Sequence, residues 1–386
     1  MASPAYRIQL MKRSGIREIM DLAAGREDIL HLEVGQPDFA TPAHIVEAGC
    51  EAARSGYTTY TPNKGLIEVR ASIAAKLKRV NGIDAVPDDI VITAGAVNAL
   101  VECLAALVSP GDSVLIPDPG WPNYQMMADV LSAEAVLYPL LPSEGFLPDL
   151  EKLEHLAATT KAKVLLINSP GNPTGAVFPR EIMERLVDIA AKYDMYVLSD
   201  ECYEQVVFEG EHVSPASLGE ADRVLSVFSM SKSYAMTGWR MGYVTGPSHI
   251  MDLVAKVQEP MISCATSIAQ KAGQAALDGD QGCVREMTES YQARRDTAVS
   301  ILQRGNLLVS IPHGAFYVMA DVSAVGSDSY AFARRLITEA SVAVAPGQTF
   351  GPSGAGMVRL SLATTSADLR EGTERLVKAV SQWGDA

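Results

Sequence analysis

The feature that most constrains the fold is a rhythm beginning near residue 90: short apolar runs, each followed by turn formers and then by a helical pattern. The runs are IVIT at 90–93, SVLI at 113–116, VLLI at 164–167, MYVL at 195–198 and VLSVF at 224–228. None shows the clean apolar/polar alternation of a half-buried strand, so each reads as a strand covered on both faces. Helical stretches at 97–108 and 179–193 separate them, which predicts right-handed β-α-β crossovers and a mainly parallel sheet. The last third has a different character. Residues 285–304 read as one long polar helix, 314–318 and 357–362 as strands, and 329–340 and 366–380 as helices. The expected architecture is α/β: a large domain over 47–284 with a mainly parallel sheet, plus a smaller α+β domain made of 1–46 and 285–386.

Charge narrows the partners. Lys and Arg number 32 against 46 Asp and Glu, a net charge of -14. That balance opposes a nucleic acid or an anionic membrane, both of which want a basic face. It does not oppose small anions, which need only a few local cations. The five cysteines (50, 103, 202, 264 and 283) are scattered without a C-x-x-C pair, so the chain reads as reduced and cytoplasmic. The six histidines show no metal-ligand spacing, and no metal site is expected. The most apolar stretch, near 99–108, is short and interrupted by Glu102, and the basic start of the chain has no apolar leader core; no membrane association is expected.

In an open parallel sheet, ligands bind beyond the carboxyl ends of the strands. After the first run, Gly95-Ala96-Val97-Asn98 leads into a helix. Its backbone N–H groups and the helix dipole suit a phosphate, although a glycine there also serves as a plain turn. After the second run, a Pro-rich loop carries Trp121, available to stack on a planar ring or to pack on the core. After the third, NSPGNPTG fixes a rigid loop that can present the amide of Asn172. After the fourth come Asp200 and Tyr203, the carboxylate suited to a protonated nitrogen, a metal or a helix cap. After the fifth come Ser229, Lys232 and Arg240: an amine for a carbonyl carbon, within an anion cradle. Each residue alone has an ordinary structural reading. Together they match pyridoxal 5'-phosphate, which needs a lysine, a carboxylate for its pyridinium nitrogen and a phosphate site.

The sequence also resembles the class I, fold-type-I aminotransferases, in the subgroup that includes bacterial aspartate aminotransferases. The resemblance extends from RIQLMKRSG to VRLSLATT through GQPDFATP, YTPNKGLIEVR, NSPGNPTGAV, SDECYE, SMSKSYAMTGWRMGY, GAFYV and PGQTFG in order. It implies that Lys232 binds the cofactor aldehyde and shuttles the substrate proton. Asp200 would keep the pyridine nitrogen protonated, Asn172 and Tyr203 would hydrogen-bond the phenolic oxygen, and Trp121 would stack on the ring. Ala96, Val97, Ser229 and Arg240 would bind the phosphate, joined by Tyr60 from a neighbouring subunit, which implies a homodimer with shared sites. Arg359 would grip the substrate α-carboxylate bidentately, with the backbone of Gly35 close by. The implied reaction is amino transfer between an L-amino acid and a 2-oxo acid, with glutamate and 2-oxoglutarate as the expected pair.

One departure bears on substrate. Relatives that favour acidic substrates carry a lysine where this chain has Val97. Arg13 or Arg17 is left to supply that charge, although Arg17 reads equally as a solvated helix residue; Ile16 would be part of an apolar lid. The same scaffold also hosts β-lyases, ring-closing synthases and oxidases, all of which would keep Lys232, Asp200 and Arg240. It serves as an effector-binding module in transcription regulators too, but the acidic balance and the lack of residues for a winged helix oppose that reading. An intact Lys232 opposes a non-catalytic homologue.

Overall fold

The computed structural model describes residues 3–11 and 13–384. Lys12, inside the RIQLMKRSG stretch, and the outer ends of the two segments expected to form the smaller domain (1–2 and 385–386) lie outside the described residues.

The first strand, β1 (Leu30–His31), is short. The main sheet follows: β2 (Ile90–Thr93), β3 (Ser113–Asp118), β4 (Glu134–Leu141), β5 (Leu147–Pro148), β6 (Val164–Asn168), β7 (Tyr196–Asp200), β8 (Val224–Ser229) and β9 (Gly242–Thr245). Its order is β2-β9-β8-β7-β6-β3-β4-β5. β9 is antiparallel to both neighbours and β5 is antiparallel to β4, while the other pairs run parallel. Every residue of β2, β3, β6 and β9 is buried, the physical reason that these runs do not alternate.

Three strands of the sheet, β4, the two-residue β5 and β9, have no counterpart in the sequence reading. Segment 134–141 carries Glu134 and Pro139 and lies next to the edge, with irregular burial, so it lacks a strand signature. β9 is four residues long and opens on Gly242. A Cβ at Gly242 would stand 2.7 Å from both the Ala96 nitrogen and the Phe228 oxygen. Only glycine lets β9 begin this close to the turn that precedes the helix Ala96–Leu107.

The later strands are β10 (Tyr317–Asp321), β11 (Val342–Ala343), β12 (Ala345–Pro346) and β13 (Met357–Ser361). β10, β13 and β12 form an antiparallel sheet in that order, and β11 pairs with β1 in parallel. The strand expected at 314–318 begins only at Tyr317. Ala315 sits at φ +53° and Gly314 makes an isolated bridge to Val207, so the chain bends there before it enters the sheet. Helices Gly282–Arg304, Ser329–Ala340 and Ser366–Gly384 cover this region. The middle one is capped by Asp328, whose carboxylate accepts from the backbone of Tyr330 and Ala331 at 3.0 Å. A single apolar cluster joins Ile19, Ile29 and Leu32 near the start to Leu302, Phe316, Val358 and Leu376 near the end. Separate clusters flank the main sheet, among them Leu165 with Phe178 and Leu100 with Val227. Among the described residues, no helix is long and apolar enough to cross a membrane.

Candidate active site

A cavity of about 350 Å³ opens at the carboxyl ends of β6, β7 and β8. Asp200, the last residue of β7, forms part of its lining and is 4% exposed. Its Oδ2 accepts from the Tyr124 hydroxyl at 2.6 Å and its Oδ1 from the Cys202 N–H at 3.2 Å. Burial raises the Asp200 carboxyl above its ordinary value, and those two hydrogen bonds work against the rise. Asn168, its register partner on β6, donates to the Asp200 carbonyl at 3.0 Å and accepts from the Asn172 N–H at 2.8 Å.

Lys232 sits in the short helix Met230–Ser233, whose N-cap is Ser229; the Ser229 hydroxyl accepts from the Ser231 N–H at 3.1 Å. The Lys232 amine donates to the Gly35 carbonyl at 2.7 Å and has no carboxylate in ion-pair contact among the described residues. Burial, together with the charges of Arg359 and Arg240, pushes it down to about 8.

Beyond Lys232 the chain doubles back through Arg240, held in the left-handed region at φ +55°. Such a conformation is strained for a non-glycine residue and persists only where the surroundings enforce it. Its guanidinium donates to the carbonyls of Thr237 at 2.9 Å and Ala94 at 3.3 Å. Gly95, at φ +86°, faces it so closely that a Cβ would stand 2.7 Å from Arg240 Nη2. The turn therefore keeps an open cradle where Ala96 and Val97 begin the helix.

Arg359, in the middle of β13, is 1% exposed. Nη1 donates to Asn172 Oδ1 at 2.9 Å, Nη2 donates to the Glu33 carbonyl at 2.5 Å, and Nε has no partner among the described residues. The guanidinium carbon lies 4.2 Å from the centroid of the Tyr317 ring. The Tyr317 hydroxyl pairs with that of Tyr203 at 2.8 Å, and burial raises both phenols. A buried arginine without a carboxylate, lining a cavity, is built for an anion that comes from solution.

The cavity brings together Ile16, Gly35, Ala96, Val97, Trp121, Asn172, Asp200, Tyr203, Ser229, Lys232, Arg240 and Arg359. Tyr60 alone of the expected site residues lies outside it, 87% exposed. Arg17 lines the cavity, whereas Arg13 does not and is paired with Asp21 at 2.8 Å. The sequence reading missed the roles of Tyr124, Asn168 and Tyr317. Tyr124 acts through the Asp200 carboxylate and Tyr317 through the Tyr203 hydroxyl, while Asn168 holds the backbone of Asp200 and Asn172; the signal available was their position at or beside the predicted strand ends. Among the described residues, no three His, Cys, Asp or Glu side chains gather as metal ligands.

A mainly parallel α/β sheet with a lysine, an aspartate and two arginines converging at its carboxyl edge defines a pyridoxal-phosphate enzyme. The sequence profile of the aminotransferase class I and II family matches residues 27–376. The chain is 38% identical over 389 residues to an aspartate/prephenate aminotransferase of Thermus thermophilus, covering 99% of this chain and 100% of that one. It is 42% identical over 369 residues to a bifunctional aspartate aminotransferase and glutamate/aspartate-prephenate aminotransferase of Petunia hybrida, covering 91% and 76%. The solved aspartate aminotransferase from Thermus thermophilus with maleate superposes with a TM-score of 0.92 at 38% identity, covering 98% of this chain and 100% of that chain. The chain belongs to the aminotransferase class I and II family: it is a pyridoxal-phosphate-dependent aminotransferase that moves an amino group between an L-amino acid and a 2-oxo acid.

Proposed function

We propose that this aminotransferase takes aspartate as amino donor and 2-oxoglutarate as acceptor, which becomes glutamate, and that the cavity residues divide the work as follows. The residues suit the cofactor on three counts: a buried carboxylate without a cation, a glycine-walled cradle facing Arg240, and a half-buried amine of lowered basicity. Lys232 binds the aldehyde carbon and Asp200 pairs with the pyridinium nitrogen. The amide of Asn172 and the hydroxyl of Tyr203 serve the phenolic oxygen, and Trp121 covers the ring. Ala96 and Val97 through their N–H groups, Ser229 and Arg240 hold the phosphate.

When bound, the cofactor supplies a ring that withdraws electrons from the substrate Cα. Once the substrate amine has displaced it from the aldehyde carbon, the Lys232 Nζ would take the proton from Cα and deliver it to the cofactor side, as an amine titrating at about 8 can do near neutral pH. Arg359 grips the α-carboxylate beside Gly35 and fixes which bond at Cα is presented for cleavage. Ile16 shields the substrate from water. Arg17, which lines the cavity and lacks an ion pair among the described residues, meets the side-chain carboxylate in place of the cation that Val97 cannot provide.

The observation that carries this reading is that Lys232 and Arg359, neither one neutralised by a carboxylate, share one cavity with the buried Asp200. The names of the Thermus and Petunia relatives support acidic substrates. The exposed Tyr60 supports a homodimer in which Tyr60 of the partner subunit reaches the phosphate. The cluster that joins Ile19 and Leu32 to Leu302 and Leu376, with Tyr203 and Val206 added from across the boundary, supports a lobe of 1–46 with 285–386 beside one of 47–284. The free cysteines support a reducing, cytoplasmic setting. The test is a panel of amino donors at fixed 2-oxoglutarate, together with donor added alone. Aspartate should give the highest kcat/KM, and donor alone should convert the bound cofactor stoichiometrically to its amine form. Preference for apolar donors would overturn the substrate reading, and release of ammonia and pyruvate would point to a lyase.

A further inference from the structure

The helix Ala96–Leu107 starts at the turn assigned above to the phosphate and carries one charged side chain, Glu102. It is 0% exposed, among apolar neighbours such as Leu100 and Cys103. Its Oε1 accepts from Asn98 Nδ2 at 2.9 Å, and its Oε2 has no partner among the described residues. The other end of that amide, Asn98 Oδ1, accepts from the Ala94 N–H at 3.0 Å. The Ala94 carbonyl in turn accepts from Arg240 Nη2 at 3.3 Å. A polar line thus runs from a buried carboxylate through one amide and one peptide to the guanidinium that faces the cradle.

The helix needs such a link because its N-cap is Gly95, which has no side chain to bond the first turn. Asn98 reaches back to Ala94 instead. An asparagine amide has donor and acceptor ends of nearly equal shape, so it is oriented only by its partners. A carboxylate that takes the NH₂ end leaves the carbonyl facing the Ala94 N–H. Burial raises the Glu102 carboxyl to about 7. A leucine at this place would not bear that cost, so the carboxylate is not explained by packing.

We propose that Glu102 and Asn98 are positioning residues for cofactor phosphate binding. Glu102 orients the Asn98 amide, the amide pins the Ala94–Gly95 turn, and the turn holds Arg240 and the helix N–H groups toward the phosphate. This rests on the assignment of that turn to the phosphate.

The test titrates apoenzymes of the E102L, E102Q, N98A and R240A variants with pyridoxal 5'-phosphate and with unphosphorylated pyridoxal, and melts each apoenzyme. Losing one buried hydrogen bond predicts that E102L raises the Kd for the phosphorylated ligand about fivefold to tenfold. The Kd for pyridoxal should not move, and the apoenzyme Tm should hold or rise because a buried carboxylate has gone. E102Q keeps an acceptor oxygen and should restore most of the affinity. N98A lies in the first helical turn, where alanine is well tolerated, and should give the same selective loss without altering the buried position. If E102L and N98A leave the Kd unchanged, or weaken both ligands equally, the inference is overturned. An unchanged Kd in R240A would instead overturn the phosphate assignment itself; weakening in R240A with none in E102L or N98A leaves that assignment standing and removes only the positioning role.

Discussion

Nη1 of Arg359 donates to Oδ1 of Asn172 at 2.9 Å, joining the loop after β6 to the middle of β13 across 187 positions of sequence. The bond holds one arm of the guanidinium without neutralising it, which leaves its charge available to an incoming carboxylate. Replacing Arg359 by lysine keeps the charge and loses the planar fork, so kcat/KM should fall about 100-fold, mostly through KM. Asn172→Ala, which frees the arginine to move and also removes the amide assigned to the phenolic oxygen, should cost about tenfold or more. Steady-state kinetics that separate KM from kcat check both values.

Lys232 has its own signature in pH. Burial lowers this cationic acid from 10.5 to about 8, so the amine becomes neutral on passing upward through about pH 8 and not near 10.5. The rate at which apoenzyme recaptures pyridoxal 5'-phosphate should therefore rise with pH through a midpoint near 8. Stopped-flow absorbance of the reconstitution reads this directly, and Lys232→Ala should show neither the absorbance of lysine-bound cofactor nor turnover.

Arg17 is expected to act only on acidic side chains. Its neighbours on the same helix are engaged, with Glu18 bonded to Arg334 at 2.5 Å and Asp21 to Arg13 at 2.8 Å. Arg17→Gln should raise KM for aspartate about tenfold, a typical charge-assisted contact, and leave KM for alanine unchanged. Equal values for the mutant and the parent would return Arg17 to the role of a solvated helix residue.

Gly35 is sterically fixed. A Cβ there would stand 2.1 Å from the Tyr317 hydroxyl oxygen, which pairs with Tyr203 at 2.8 Å. Gly35→Ala must push that ring away and break the pair, lowering kcat about tenfold or more. Adding Tyr317→Phe removes the colliding atom and should recover part of the stability lost, measured as Tm beside activity.

Much of this fold is legible in the sequence itself. β2, β3, β6, β7 and β8 were legible because strands covered on both faces leave continuous apolar runs. β9 was not, because four residues opening on a glycine carry no pattern, and β4 was not, because its glutamate and proline break the run. The lysine, the aspartate and both arginines stood in recognisable motifs. Tyr124 and Asn168 did not, since their tie to Asp200 depends on how strands align, and no spacing along the chain encodes the register that sets Asn168 opposite Asp200. The late start of β10 followed from the left-handed backbone at Ala315, which the GAFYV letters do not reveal.

The segment around Gly35 is held from two sides, its carbonyl by Lys232 and that of Glu33 by Arg359, partners 197 and 326 positions later. One short segment is thus clamped both by the lysine assigned to the cofactor and by the arginine assigned to the substrate. A ligand that draws either side chain away would release one of the segment's two fasteners, so occupancy of the cavity and slackness of this strap would rise together.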